Sequence, residues 1–180
     1  KPLVVLFNWA FGAILLLAVF QLLLDLGTAV VALVRRRRVL IAPRLRVAIG
    51  IAAMLLAALG VMQAIKSPPL KDVLIEVRNL PHEFDGYQVL HLTDLHISRL
   101  FDAPWTRKVV DDANALGADL IVITGDLIDG NVARREADVA ALRDLRAADG
   151  VWVIPGNHEY FFGHAEWMAY FAGLNMTPLD

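Results

Sequence analysis

Val89-Leu90-His91-Leu92-Thr93-Asp94-Leu95-His96 is a short apolar run that closes on a polar cluster, and the pattern returns twice. Leu120-Ile121-Val122-Ile123 leads into Thr124-Gly125-Asp126-Leu127-Ile128-Asp129, and Val151-Trp152-Val153-Ile154 leads into Pro155-Gly156-Asn157-His158-Glu159. Apolar runs of this length, with helical patterns between them, fit buried strands. Pro104 to Leu116 reads as a helix with Val109, Val110, Ala113 and Leu116 on one face, stopped by Gly117. Ala133 to Ala148 reads as the next, with Val139, Leu142 and Leu145 inward, its Arg and Asp residues outward, and Gly150 as its stop. The rhythm is β-α-β-α-β, which calls for right-handed crossovers and a largely parallel sheet. The carboxyl ends of the three strands then share one edge, where ligands bind in open α/β sheets.

Upstream of the first cluster, Val73 to Val77 reads as an earlier strand, and Asp85-Gly86 as a turn before a strand over Tyr87 to Leu92. Ala165 to Ala172 reads as a third helix, and Thr177-Pro178-Leu179 starts another strand. His91 is out of phase with Leu90 and Leu92, which makes it a face residue in a polar contact; His164 opens a helix. Tyr160, Phe161, Phe162, Trp167, Tyr170 and Phe171 follow the third cluster. Helical spacing favours core packing for them, against an apolar rim that meets a bilayer or an acyl chain.

The three clusters deliver hard oxygen and imidazole donors to one crevice, a set that suits divalent cations. Asp94 and His96 are two apart, so in an extended segment one metal could take both. The Gly before Asp126 lets the backbone turn sharply at the strand end. The two oxygens of Asp126 could bridge two ions, and Asn157 offers a carbonyl oxygen to the second. Paired ions hold a hydroxide in line with a phosphoryl leaving group. His158 is placed to steady phosphate oxygens or to protonate the leaving oxygen, with Asp129 the candidate to orient its imidazole. Each fragment alone has a plainer reading, as a solvated loop, strand-end turn chemistry or a tight turn. The order and spacing of all three favour a site.

The formal charge of −2 hides a break in composition. Residues 1–70 carry eight Lys or Arg against Asp25 alone, while the remainder holds nine basic and eighteen acidic residues. The acidic balance of the second part argues against a nucleic-acid footprint. With no cysteine, the sequence does not report a redox compartment. Residues 1–66 read as a membrane region with two transmembrane helices, about 3–34 and 47–65. Trp9 is suited to an interfacial anchor, and Asp25 to a carboxylate near the interface or paired with another helix. The loop Arg35-Arg36-Arg37-Arg38, Arg44, Arg46 reads as a cytoplasmic topology signal, which places both ends of the hairpin and the following domain outside the cytoplasm. A twin-arginine export signal is the weaker reading, because Met62-Gln63-Ala64 is a poor cleavage site. Residues 67–71, with Ser67-Pro68-Pro69, form a linker, and residues 72–180 form the second domain. A start without Met and a stop soon after a helix read as a fragment at both ends.

His-Leu-Thr-Asp-Leu-His-Ile-Ser (91–98), Thr-Gly-Asp-Leu-Ile-Asp (124–129) and Pro-Gly-Asn-His-Glu-Tyr (155–160) resemble the first three signature motifs of the calcineurin-like metallophosphoesterase superfamily. The wording is similar to its membrane-anchored bacterial branch, which includes phosphodiesterases and UDP-2,3-diacylglucosamine pyrophosphate hydrolases of lipid A synthesis. The resemblance covers roughly residues 72–180. It implies an α/β fold, the first half of a β-sandwich flanked by helices, behind the transmembrane hairpin. It implies that Asp94, His96 and Asp126 bind one metal, that Asp126 and Asn157 bind the second, and that His158 paired with Asp129 is the acid. The expected cofactors are two divalent ions, Mn, Fe, Zn or Mg, with Mn favoured. The expected substrate is a phosphodiester or pyrophosphate, with a lipid-linked one suited to an enzyme on a short tether at a bacterial cell membrane. The family completes its site with later histidines, one after a strand and others in a Gly-His-x-His segment. His82, His91 and His164 do not substitute for them, so this chain alone is expected to bind metal weakly and to be nearly inactive. The rival expectation is a non-catalytic membrane protein whose phosphoesterase-like domain binds a ligand or partner.

Overall fold

The computed structural model describes residues 1–179, and the chain divides into two units that meet in sequence at Lys66 and Ser67. The first unit is a pair of helices, α1 (Pro2–Arg35) and α2 (Pro43–Ala64), each opened by a proline in its first turn. At 1.5 Å per residue they are about 51 and 33 Å long, against a hydrocarbon layer of about 30 Å. Both are long and apolar enough to cross a membrane. Small residues let them approach: Ala53 and Ala57 are buried, and Gly12 faces Ala57. The Trp9 indole donates to the Met54 carbonyl at 2.9 Å. Asp25 accepts from Gln21 at 2.7 Å and lies 3.6 Å from Arg46 on the other helix. It is a paired carboxylate.

The second unit is built on one parallel sheet in the order β1 (Val89–Leu92), β2 (Leu120–Ile123), β3 (Val151–Val153), β4 (Thr177–Pro178). Strands that add in sequence order through crossovers of one hand put every connecting helix on the same face. Those elements are α3 (Ala103–Ala115), α4 (Val132–Val139) with a 3₁₀ turn over Ala140–Asp144, α5 (Asn157–Phe162) and α6 (His164–Ala172). Ile121, Ile123, Val151 and Val153 point into this layer and are buried against Val110, Val139, Leu142, Trp167 and Phe171. The alternate residues Val89, His91, Val122 and Trp152 line the other face. There His91 Nε2 meets the Thr124 hydroxyl at 2.7 Å, the polar contact its phase called for.

Three expectations change. Residues 73–77 form no strand, and all of them are exposed. Alternating apolar residues favour a strand only where a neighbour completes the ladder, and no described residue pairs with this segment. The helix expected to run to Ala148 leaves α geometry at Ala140. The Asn114 side chain takes its place, donating to the Asp144 carbonyl at 2.7 Å and accepting from the Arg146 N–H at 2.9 Å. Leu142 and Leu145 are buried nonetheless. Arg135, expected outward, is turned in beside Gly130 and holds Asp138 at 2.7 Å.

Candidate metal centre

Leu92, Ile123 and Val153 are in register, so β1, β2 and β3 end level at one edge. Past that edge the first two loops stay side by side. Asp94 N–H donates to Gly125 O (3.2 Å), His96 N–H to Asp126 O (3.0 Å), Ile97 N–H to Leu127 O (2.8 Å), and Asp129 N–H to Ile97 O (2.9 Å). Leu95, Ile97, Leu127 and Ile128 are buried beneath, which turns the polar residues between them upward. Asp94 (φ 54°), His96 (φ 44°) and Asp126 (φ 52°) all adopt the left-handed region, which costs non-glycine residues roughly 1–3 kcal/mol each and clusters at functional sites. The third loop closes against the second. A Cβ on Gly125 would lie 2.2 Å from Gly156 N, and one on Gly156 2.3 Å from Asp126 Oδ1. Neither glycine has room for a side chain.

Asp129 Oδ1 lies 3.0 Å from His96 Nδ1 and 2.7 Å from His158 Nδ1, and the two rings meet edge to face at 4.5 Å. An ionised carboxylate only accepts, so it holds the proton on both Nδ1 atoms and leaves both Nε2 atoms as bare lone pairs. His96 Nε2 then stands 3.9 Å from Asp94 Oδ1 and 4.0 Å from Asp126 Oδ2. These are too long for hydrogen bonds. Donor atoms about 2.0–2.2 Å from one ion, however, lie no more than about 4.4 Å apart. His96 Nε2 meets that limit with both carboxylates, and one donor atom from each of His96, Asp126 and His158 lies within 4.8 Å of the others.

Asn157 extends the nest. Its amide group lies 3.0 and 3.3 Å from the two Asp126 oxygens. With the NH₂ turned there it donates to both. That orientation satisfies the contact without an ion, and the carbonyl would turn there instead only with a cation between the oxygens. The donor set therefore fits divalent metal: carboxylate, amide and imidazole, with an outer carboxylate fixing the tautomer.

The expected site residues are thus neighbours in space. Asp94 stands at the margin, its side chain 62% exposed and bonded to Thr93 at 2.6 Å. Asp129 touches His96 as well as the His158 it was expected to orient. Glu159 was missed. It is fully buried, and its carboxylate accepts N–H groups from Asp126 (2.9 Å), Leu127 (2.9 Å) and Gly156 (2.7 Å). The Gly156 bond, reaching back three residues at the start of α5, is half of a capping box that was legible in Gly-Asn-His-Glu. The aromatic group divides. Trp167 and Phe171 are core, as helical spacing required, whereas Tyr160 and Phe161 are 63% and 74% exposed and Phe162 is 38% exposed. Phe161 and Phe162 sit 6.1 and 5.8 Å from the His158 ring.

A parallel sheet that gathers Asp, His and Asn side chains at its carboxyl edge defines an α/β domain built around a metal-capable nest. The chain belongs to the calcineurin-like phosphoesterase family, whose model matches residues 87–179. It is 30% identical over 154 residues to a transmembrane protein with metallophosphoesterase domain from Bos taurus, covering 85% of this chain and 34% of that one. It is 28% identical over 120 residues to a metallophosphoesterase from Helicobacter pylori strain J99, covering 67% of this chain and 32% of the relative. A further transmembrane protein with metallophosphoesterase domain, from Danio rerio, is 31% identical over 111 residues, covering 62% of this chain and 25% of that protein. The chain spans about a third of the length of the curated relatives it matches, or less.

Proposed function

We propose that this chain carries the first part of the active site of a membrane-anchored, metal-dependent phosphoesterase that cleaves phosphodiester or pyrophosphate bonds. The observation that carries this reading is the approach of His96 Nε2 to Asp94 Oδ1 (3.9 Å) and Asp126 Oδ2 (4.0 Å), with Asp129 bonded to both the His96 and His158 imidazoles. Asp94, His96 and Asp126 would hold one divalent ion, and Asp126 and Asn157 would serve a second; manganese is the favoured metal. When bound, the ions supply an activated water for attack on phosphorus. His158, its ring fixed by Asp129, would serve as the acid when a second proton occupies Nε2, and that proton would pass to the leaving oxygen. His91 and His164 lie in other contacts, the first with Thr124 and the second stacked on Tyr160. The 180 residues alone therefore bind metal weakly and turn over little.

The substrate is lipid-linked. Exposed Phe161 and Phe162 beside His158 form an apolar rim where a soluble phosphodiester needs none. Two helices long enough to cross a bilayer keep the domain at a membrane surface, with the arginine loop cytoplasmic and the site on the opposite side. The test is the full reading frame, reconstituted with Mn²⁺ and assayed on bis-p-nitrophenyl phosphate, nucleotide diesters and a UDP-diacylglucosamine-type diphosphate side by side. Turnover abolished by Asp126→Asn supports the enzyme, and no Mn²⁺-dependent turnover on any substrate removes it. Phe161→Ser should raise KM for the lipid substrate about tenfold and leave that for the soluble diesters unchanged, given roughly 1.5–3 kcal/mol for a buried Phe. Equal effects on both would remove the lipid reading alone.

A further inference from the structure

Arg35 to Arg38, Arg44 and Arg46 place six guanidinium groups at the end of α1, in the loop and in the first turn of α2, and Asp25 is the sole acid of residues 1–66. Asp25 sits beside Arg46, so most of this charge has no counterpart in the first unit. Between the end of α1 and the loop lies an open groove of about 490 Å³. Its apolar walls are Ala29 and Ala32 on α1 with Leu40 and Ile41 in the loop; Arg38 and Arg46 supply its cations, and Asp25, paired with Arg46, belongs to the same lining. A signal that merely sets topology needs the charge and no groove.

Charged side chains at the bilayer centre cost about 2.5–3.5 kcal/mol each on insertion scales. If the helices span, the Asp25–Arg46 pair and the arginine loop therefore lie at one membrane–water boundary. A ligand for this groove has to match two chemistries at that depth, guanidinium donors and aliphatic walls. Guanidinium recognises phosphate through paired N–H donors, and the walls accept hydrocarbon. A free phosphate satisfies only the first. We propose that this groove binds the phosphate headgroup of an anionic phospholipid, with Arg38 as its principal cation, the donors of Arg46 that Asp25 does not take beside it, and Leu40 and Ile41 against the start of the acyl chains. Basic pockets at the ends of membrane helices recognise such headgroups by this combination.

Native mass spectrometry of the 180-residue chain released from nanodiscs tests the site, with phosphatidylglycerol, phosphatidylcholine or soluble glycerol phosphate as the probe. Retained phosphatidylglycerol, without retained phosphatidylcholine or glycerol phosphate, is the expected result. Arg38→Gln should weaken retention about fivefold beyond the charge-matched Arg37→Gln, whose residue lies outside the groove. Arg38→Lys, which keeps charge but not the fork, should fall between them, and circular dichroism should show all three variants equally helical. Equal losses for Arg37→Gln and Arg38→Gln would mean diffuse charge and no site. Equal retention of the two phospholipids, or retention of glycerol phosphate, would also overturn the proposal.

Discussion

The carboxylate of Glu159 accepts the backbone N–H of Asp126 at 2.9 Å from wholly inside the protein. The same group holds Leu127 and Gly156, so one side chain fixes the second loop to the third at the point where Asp126 takes its left-handed turn. Glu159→Ala strands three backbone donors, each costing roughly 1–3 kcal/mol when buried and unpaired, so a loss of at least about 3 kcal/mol is expected. Glu159→Gln can accept through one oxygen only and should lose less. Urea denaturation of the chain measures both, and a loss under about 1 kcal/mol for the alanine variant would show that water replaces the carboxylate freely.

Gly156→Ala should damage the same junction from the other side. The new methyl would stand 2.4 Å from the Asp126 backbone nitrogen and 2.3 Å from its Oδ1, and backbone cannot swing away as a flexible side chain can. Overpacking of this kind costs about 1–3 kcal/mol or more. Because the clash falls on Asp126 itself, Mn²⁺ affinity should drop along with the melting temperature. Ala at the exposed Gly27, where nothing lies within 4 Å, is the control and should change neither.

Asp129→Ala should release both imidazoles at once, since one oxygen serves His96 and His158. Loss of such an outer partner typically lowers metal affinity 10–100-fold. Titration calorimetry with Mn²⁺ reads that change. Nitrogen NMR should show the Nδ1–H form at His96 and His158 in the parent chain and mixed tautomers in the variant. Unchanged tautomers would mean that Asp129 is a bystander.

The sheet and its ligand-bearing edge were legible because they rest on local patterns. Short apolar runs such as Leu120–Ile123 pair wherever a neighbour exists, and a residue two to four places beyond the run lands at the rim. What the pattern concealed depends on residues far apart in sequence. Glu159 reads as a surface acid, as most glutamates are, and its burial follows only when loops thirty residues apart converge on it. Asp129 shared between two rings is hidden for the same reason. Tyr160 to Phe162 read as core together with Trp167, Tyr170 and Phe171, on whose helical spacing that reading rests, against the alternative of an apolar rim. The short helix α5 instead turns them outward beside His158, while Trp167 and Phe171 take the interior. Val73 to Val77 has the alternation of a strand but no described neighbour to pair with, and alternation alone makes no ladder.

Tyr87, far from the metal nest, should mark the alkaline limit of the second unit. Its hydroxyl donates to Asp149 Oδ2 at 2.5 Å, tying the residues before β1 to the turn before β3, while the neighbouring Gln88 N–H donates to Asp119 at 2.8 Å. Ionising the phenol would break that hydrogen bond and set a phenolate against a carboxylate. Its pKa is accordingly pushed up to about 12, first by the bond to Asp149, then by desolvation and by the charges of Asp149 and Asp119. A pKa raised in the folded state gives stability that is fully present below the unfolded value near 10 and is lost as pH climbs through about 12. The parent chain should therefore lose stability relative to Tyr87→Phe between about pH 10 and 12, and the two should run parallel below that window. Subtracting the variant's tyrosinate absorbance from the parent's should leave one transition centred near 12. A transition at the ordinary tyrosine value would mean that the Tyr87–Asp149 bond does not hold in solution.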